Sequence, residues 1–343
     1  MEPKRGFSEE KLQLVAESVD QLISLDITGW GPGRGRTSIL YPPVRERHGG
    51  KPLCMSAAKE LARRVGHGDF VLIPCGMLVY PLNLPETDGP VGGAALARAL
   101  QIGLGAKPVL VTDSSAIDVT RAACRGAALN IVDIQSLMKT ERTVSVIGFP
   151  IDDDEAKTET DRIFEDLSPK AIVAIERRGR NEKGVYHGFP GGINMNEIEG
   201  KTVYLFDKAR EKGVLTIGIG DGGNEIGWAS VADVIKEKIP FGDKCSCGCG
   251  GGVGDATVVD VPIAACISNW GAYGVISCLS ALLDKPEVLH DTRVESRMLR
   301  ECIDAGGIDG VSCRPEPKVD GLPEEIDLAI LSLLREIVNP DFA

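Results

Sequence analysis

Ala171-Ile172-Val173-Ala174-Ile175, broken off by Glu176-Arg177-Arg178-Gly179-Arg180, and then Val214-Leu215-Thr216-Ile217-Gly218-Ile219, broken off by Gly220-Asp221, decide how this chain folds. An unbroken apolar run that ends in a burst of charge reads as a strand buried on both faces. A parallel sheet covered by helices demands such strands. A helical pattern at 202–212 lies between the two runs, so together they form one strand-helix-strand unit. Towards the N-terminus the alternation repeats: strand Phe70 to Ile73, helix Val91 to Ile102, strand Pro108 to Val111, helix Ser115 to Arg125, strand Val144 to Ile147 and helix Asp153 to Asp166. Towards the C-terminus come an apolar strand within Val258 to Ile267, a helix Ala272 to Leu283, another at 291–304 and a closing helix Pro323 to Val338. An opening helix from Ser8 shows Leu12, Val15, Val19, Leu22 and Ile23 at helical spacing, and a glycine-rich loop follows at 29–36. The predicted fold is α/β: a mostly parallel, doubly wound, Rossmann-like sheet with helices on both faces. No shift in composition marks a boundary, so one continuous domain over 1–343 is expected. The alternative divides it into an N-terminal helical and loop segment, 1–65, packed on a catalytic domain, 66–343.

Composition narrows the function. A net charge of -12 argues against nucleic-acid and anionic-membrane partners, which need basic surfaces. It suits a site that collects cations. No run of about eighteen apolar residues occurs, so no membrane-spanning helix is expected. The opening MEPKRGFSEE has no apolar stretch of the secretory kind. Of the ten cysteines, Cys54, Cys75, Cys124, Cys266, Cys278 and Cys302 sit in apolar segments and read as small buried hydrophobes. That usage predicts a reducing, cytoplasmic setting.

In open parallel sheets ligands bind at the carboxyl ends of strands, so the loops that follow strands are where chemistry is sought. Glu86 and Asp88 lie on a Pro/Gly-framed loop, 84–93, just before a helix. They serve either as paired carboxylates in a site or, for Asp88, as a helix cap. Glu176 ends the clearest buried strand, and Arg177, Arg180 and Lys183 follow it as anion-gripping groups or as a solvated basic loop. Gly218, Gly220 and Gly223 formally match the dinucleotide loop pattern. Asp221 and Glu225 would repel a pyrophosphate, so no nucleotide is expected. Carboxylates beside Asn224 suit a divalent cation or an ammonium group better. Ser268 and Asn269 open a later helix as ligand donors or caps, and Asp113 joins the set by ending a strand.

Cys245-Ser246-Cys247-Gly248-Cys249 lacks the usual spacing of zinc ligands, and no Cys/His pair stands near it in sequence. It is expected to be a mobile glycine-rich loop with reactive thiols. His187, a lone histidine, reads as structural. No G-x-S-x-G elbow is present for a serine nucleophile.

PETDGP at 85–90, AIERRGRNEKGVYH at 174–187, TIGIGDGGNEIG at 216–227 and SNWGAYG at 268–274 resemble, in order and rough separation, the D-glutamate cyclase family. The resemblance implies a carbon-oxygen lyase that converts D-glutamate to 5-oxo-D-proline with loss of water. Such chemistry needs a base for the ammonium group, a means of neutralising the γ-carboxylate, and a site that holds the chain curled. Under this reading Glu176, Asp221 and Glu225 are catalytic, with Glu176 the base. Arg177 and Lys183 take the carboxylates, and Asn224, Asn269, Gly222 and Gly223 bind substrate. Glu86, Asp88, Asp113 and Asp221 form an oxygen-rich set for Mg²⁺ or Mn²⁺. The expected partner is a small amino acid, with a homo-oligomer as the expected assembly. Two rivals use the same residues: a metal-dependent hydrolase, for instance of phosphate esters, and a non-catalytic protein that binds an amino acid or nucleotide.

Overall fold

The computed structural model describes residues 7–27, 36–189 and 191–339. The glycine-rich loop expected at 29–36 lies outside the described residues except for Arg36.

Seven strands form the central sheet: β1 (Phe70–Pro74), β2 (Lys107–Asp113), β3 (Asn130–Ile131), β4 (Thr143–Phe149), β5 (Ala171–Ile175), β6 (Leu215–Gly220) and β7 (Val261–Ala264). Their order is β7-β6-β5-β1-β2-β4-β3, and every neighbouring pair is parallel. Successive side chains of a strand point to opposite faces. Val71, Ile73, Leu110, Val173, Ile175 and Ile217 therefore enter one core, while Leu72, Val109, Val111, Ile172 and Ala174 enter another. This double burial explains the unbroken apolar runs of the sequence.

The larger core lies against helices α1 (Glu9–Ile23), α2 (Thr37–Arg47), α3 (Leu53–Arg64), α4 (Pro90–Leu104), α5 (Ile117–Gly126), α10 (Ser268–Leu283), α11 (Thr292–Asp304) and α12 (Glu324–Val338). Across the sheet, α6 (Ile134–Lys139), α7 (Asp153–Leu167) and α8 (Val203–Lys212) cover the second core through Leu137, Ile163, Phe164, Val203 and Phe206. A short helix, α9 (Ala232–Lys238), packs beside α2. Helix α10 is buried from Ser268 to Ala281, which accounts for its apolar character all round. The acidic start of α7 meets the positive end of its own helix, and the Asp152 side chain caps it.

Of these elements, α2, α3, α6, α9 and β3 escape the sequence pattern. Pro42 and Pro43 sit inside α2 and mask its periodicity, while β3 and α6 are too short to show a period. The expected strand across 258–267 shortens to Val261–Ala264, because Cys266 N–H donates to Ile23 O of α1 at 2.8 Å and the chain leaves the sheet. No helix among the described residues is long and apolar enough to cross a membrane.

From β1 the chain crosses to β2 on one side, and from β4 it returns to β5 on the other. The crevice beyond Pro74 and Ile175 is therefore the topological switch point, where ligands bind in open parallel sheets.

Candidate active site

Two buried helices start at this crevice, and each N-terminus is capped by a side chain from the loop of the other. Asp88 accepts from Ser268 N at 3.0 Å, Asn269 N at 2.8 Å and Gly89 N at 3.0 Å. Asn269 Oδ1 in turn accepts from Gly89 N at 2.9 Å and Gly92 N at 2.7 Å, and its Nδ2 donates to Thr87 O at 3.2 Å. The exchange satisfies N–H groups that helix starts leave without partners. It also requires glycine twice. A Cβ on Gly89, whose φ is +93°, would lie 2.4 Å from Gly76 N, and one on Gly92 would lie 2.6 Å from Asn269 Oδ1.

On this base the strand ends gather carboxylates. Donor oxygens of Asp88, Glu176 and Asp221 lie within 4.8 Å of one another, close enough to hold a metal ion. Glu176 has a left-handed φ of +47°, a conformation costly for a side chain of this size. Its N–H donates to Ile219 O at 3.1 Å, and Ser268 Oγ donates to its carboxylate at 2.5 Å. Glu86 and Asp320 border the same cleft. Glu86 is 6% exposed, and its Oε1 is buried without a hydrogen-bond partner. Burial, and then the neighbouring carboxylates, push Glu86, Glu176 and Asp221 well above the usual carboxylate range. Burial and Asp320 do the same to Asp88, against the pull of the N–H groups it caps. A cluster so disposed favours a proton or a bound cation.

Two arginines enter the cleft. Arg36 Nη1 donates to Gly222 O at 2.9 Å, and its guanidinium stacks 3.9 Å from the centre of the Phe189 ring. Arg178 pairs with buried Glu199 and donates through Nη2 to Leu78 O at 3.3 Å. The Nε atoms of both arginines are buried without partners. The cleft holds about 380 Å³, with Met77, Tyr80, Pro240 and Phe241 along its walls.

Several residues singled out from the sequence lie elsewhere or face another way. Arg177, fully buried, turns from the cleft and binds Asp113 through both Nη atoms, at 2.6 and 2.8 Å. Glu199 Oε1 lies 3.3 Å from Arg177 Nη2. Asp113 is thereby committed to Arg177 and to Gly200 N, at 2.7 Å, and the structure does not bring it to the acidic trio. Lys183 is exposed on the loop after β5 and does not line the cleft. Glu225 and Asn224 do border it, but with the Glu225 carboxylate and the Asn224 Nδ2 engaged. Glu225 accepts from Gly222 N at 3.0 Å, Gly223 N at 2.8 Å and Trp228 Nε1 at 2.7 Å, while Asn224 donates to His187 O at 2.9 Å. The two glycine N–H groups that a phosphate loop would aim at an anion thus go to Glu225.

Arg36, Arg178 and Asp320 were missed as site residues. Arg178 sits one residue beyond Arg177, and only the backbone turn at Glu176, φ +47°, decides which of the two faces the cleft. Asp320-Gly321 carried a faint signal as a turn dipeptide. Arg36 carried none. A larger hollow of about 640 Å³ lies at the amino ends of β5 and β6, lined by Lys170, Lys208 and Val214, away from the switch point.

A family model described as D-glutamate cyclase-like, C-terminal, matches residues 39–335. A human protein named D-glutamate cyclase, mitochondrial, is 26% identical over 290 residues, a match that covers 82% of this chain and 43% of that protein. The chain thus spans less than half the length of this relative.

Proposed function

The chain belongs to the D-glutamate cyclase-like family, and from the carboxylates gathered at its switch point we propose that it is a lyase that cyclises D-glutamate to 5-oxo-D-proline. The observation that carries this reading is the packing of Asp88, Glu176 and Asp221 within 4.8 Å, at a cleft that Glu176 and Asp221 line with Glu86, Asp320, Arg36 and Arg178. An amino acid with one ammonium and two carboxylate groups complements that arrangement of charge.

In the reaction the nitrogen bonds to the γ-carbon while one γ-oxygen departs. The two protons given up by nitrogen are the two that leave in water. The site therefore needs one group to take a proton and another to give one. Glu176 takes it: its raised pKa makes its carboxylate a stronger base, and the bond from Ser268 fixes its aim. Glu86 gives it, since burial and the neighbouring carboxylates favour its protonated form, and proton exchange among the clustered carboxyls restores both. Arg36 and Arg178 hold the carboxylates, a role the sequence alone had suggested for Arg177 and Lys183. The trio's oxygens also fit a hard divalent ion such as Mg²⁺ or Mn²⁺, whose ligands lie about 2.0–2.6 Å away. Bound by Asp88, Glu176 and Asp221, it would supply polarisation of the γ-carboxylate.

A proton NMR time course with D-glutamate and, separately, L-glutamate, each with and without EDTA, tests the reading. We expect 5-oxoproline from the D isomer, with the EDTA arm reporting any need for metal. Absence of product from both isomers, with and without added Mg²⁺ or Mn²⁺, would overturn it.

A further inference from the structure

The long segment between α9 and β7, Ile239 to Asp260, contains no helix or strand. Ordered stretches beyond about 12–15 residues without secondary structure are uncommon and need something to hold them. This one buries few apolar side chains, Cys245 and Val253 among them. What it does bring together is sulfur. Cys245 Sγ lies 3.1 Å from Cys247 Sγ and 3.4 Å from Cys249 Sγ. The fourth member comes from far back in the sequence: buried His187 places Nε2 3.4 Å from Cys247 Sγ and 3.7 Å from Cys249 Sγ. All four donors lie within 4.8 Å of one another. The sequence offered no such histidine near the cysteines, because the partner is brought in by the hairpin of His187–Gly188 with Ile193–Asn194.

We propose that His187, Cys245, Cys247 and Cys249 form a structural zinc site. A tetrahedral ion with bonds of about 2.3 Å to sulfur and about 2.0–2.1 Å to nitrogen sets its donors roughly 3.5–3.8 Å apart. The four atoms already stand near that separation. Gly248 and Gly250, with φ of +85° and +81°, curl the backbone to complete the cup. Gly251 N–H and Asn181 Nδ2 both point at Cys249 Sγ, at 3.4 and 3.5 Å, as suits a thiolate. Four protein donors leave no open position, so the ion is structural. Its soft ligands separate it from the all-oxygen trio in the cleft.

The site joins two walls of the cleft. Phe189 and Gly191 lie shortly after His187, Pro240 and Phe241 open the cysteine loop, and all four line the cleft. Ser246 N–H donates to Gly191 O at 3.2 Å, a bond between the same two segments.

The test is elemental analysis of the full chain purified without chelators or metal-affinity resin. About one zinc per chain is expected. Stoichiometric release on titration with a mercurial thiol reagent should follow, as should the strong visible absorption of tetrahedral thiolate-bound cobalt after exchange with Co²⁺. The pair C247S/C249S and the single variant His187→Ala should lose the zinc, whereas Glu176→Gln should keep it. Should the variants fail to fold, the mercurial titration of the unaltered chain decides. Iron with acid-labile sulfide, a disulfide among the three cysteines, freely titratable thiols with no metal after zinc loading, or zinc lost in Glu176→Gln would each overturn the proposal. None of these readouts depends on glutamate turnover, so this inference and the proposed reaction fail separately.

Discussion

Glu176 and Arg177 are neighbours in sequence and belong to two opposed charge clusters. Arg177 lies fully buried between Asp113 and Glu199, with further bonds to Gly76 O, Gly200 O and Thr202 Oγ1. Burial alone would lower its pKa, but Asp113 and Glu199 outweigh it and hold the guanidinium above its ordinary value. Glu176 faces the cleft among carboxylates of its own sign and is pushed the other way, towards its neutral form. One cluster sets its buried cation against two anions within the protein. The other is left wanting positive charge. Structural ions are satisfied internally, whereas a site that must accept a ligand keeps part of its demand unmet.

Four substitutions break or sharpen this contrast. The largest effect is expected from Arg177→Met, which leaves Asp113 in the interior without a cationic partner and Glu199 with Arg178 alone. Loss of one partner of a buried pair costs about 3–5 kcal/mol, and urea unfolding should register it as a lower midpoint. Glu176→Gln should act oppositely in the other cluster. It keeps an oxygen for Ser268 Oγ but removes one like charge, so turnover should fall by at least about 10²-fold while thermal stability rises. A fall in both would place Glu176 with the structural ions. Gly92→Ala tests the scaffold beneath: a Cβ set against Asn269 Oδ1 should cost about 1–3 kcal/mol and misplace Asp88, with loss of activity ahead of global unfolding.

The smallest effect concerns pH. Burial, with Asp320 and Asp88, raises Glu86, so the native state holds a proton that the unfolded chain releases near pH 4.3 or so. That stabilisation is complete below the unfolded value and is lost as pH climbs through the raised native one. As pH rises above the unfolded value, the unaltered chain should lose more stability than Glu86→Gln. Parallel curves from thermal melts across that rise in pH would remove Glu86 from the unmet cluster.

Much of this arrangement could be read in advance. The apolar runs at 171–175 and 215–219 announced strands buried on both faces, and the acids that follow them marked the strand ends where Glu176 and Asp221 now meet. The choice between a capping and a catalytic Asp88 could not be read, and the folded chain gives it both surroundings: three N–H donors and two carboxylate neighbours. Nor could direction. Arg177 and Arg178 are equally basic in sequence, and only the backbone turn at Glu176 sends one into the interior and the other to the cleft.

What the sequence by itself determined was the alternation of strands and helices, hence the parallel sheet, and the kinds of chemistry its loops carry. Those follow from local periodicity and side-chain type, which need no distant partner. Tertiary structure alone decided which residues share a site. Arg36, Asp320 and the switch-point acids come from both ends of the chain, and His187 reaches three cysteines across a separate loop. Such meetings depend on strand order and on loops packed by contacts remote in sequence, and no local pattern encodes them.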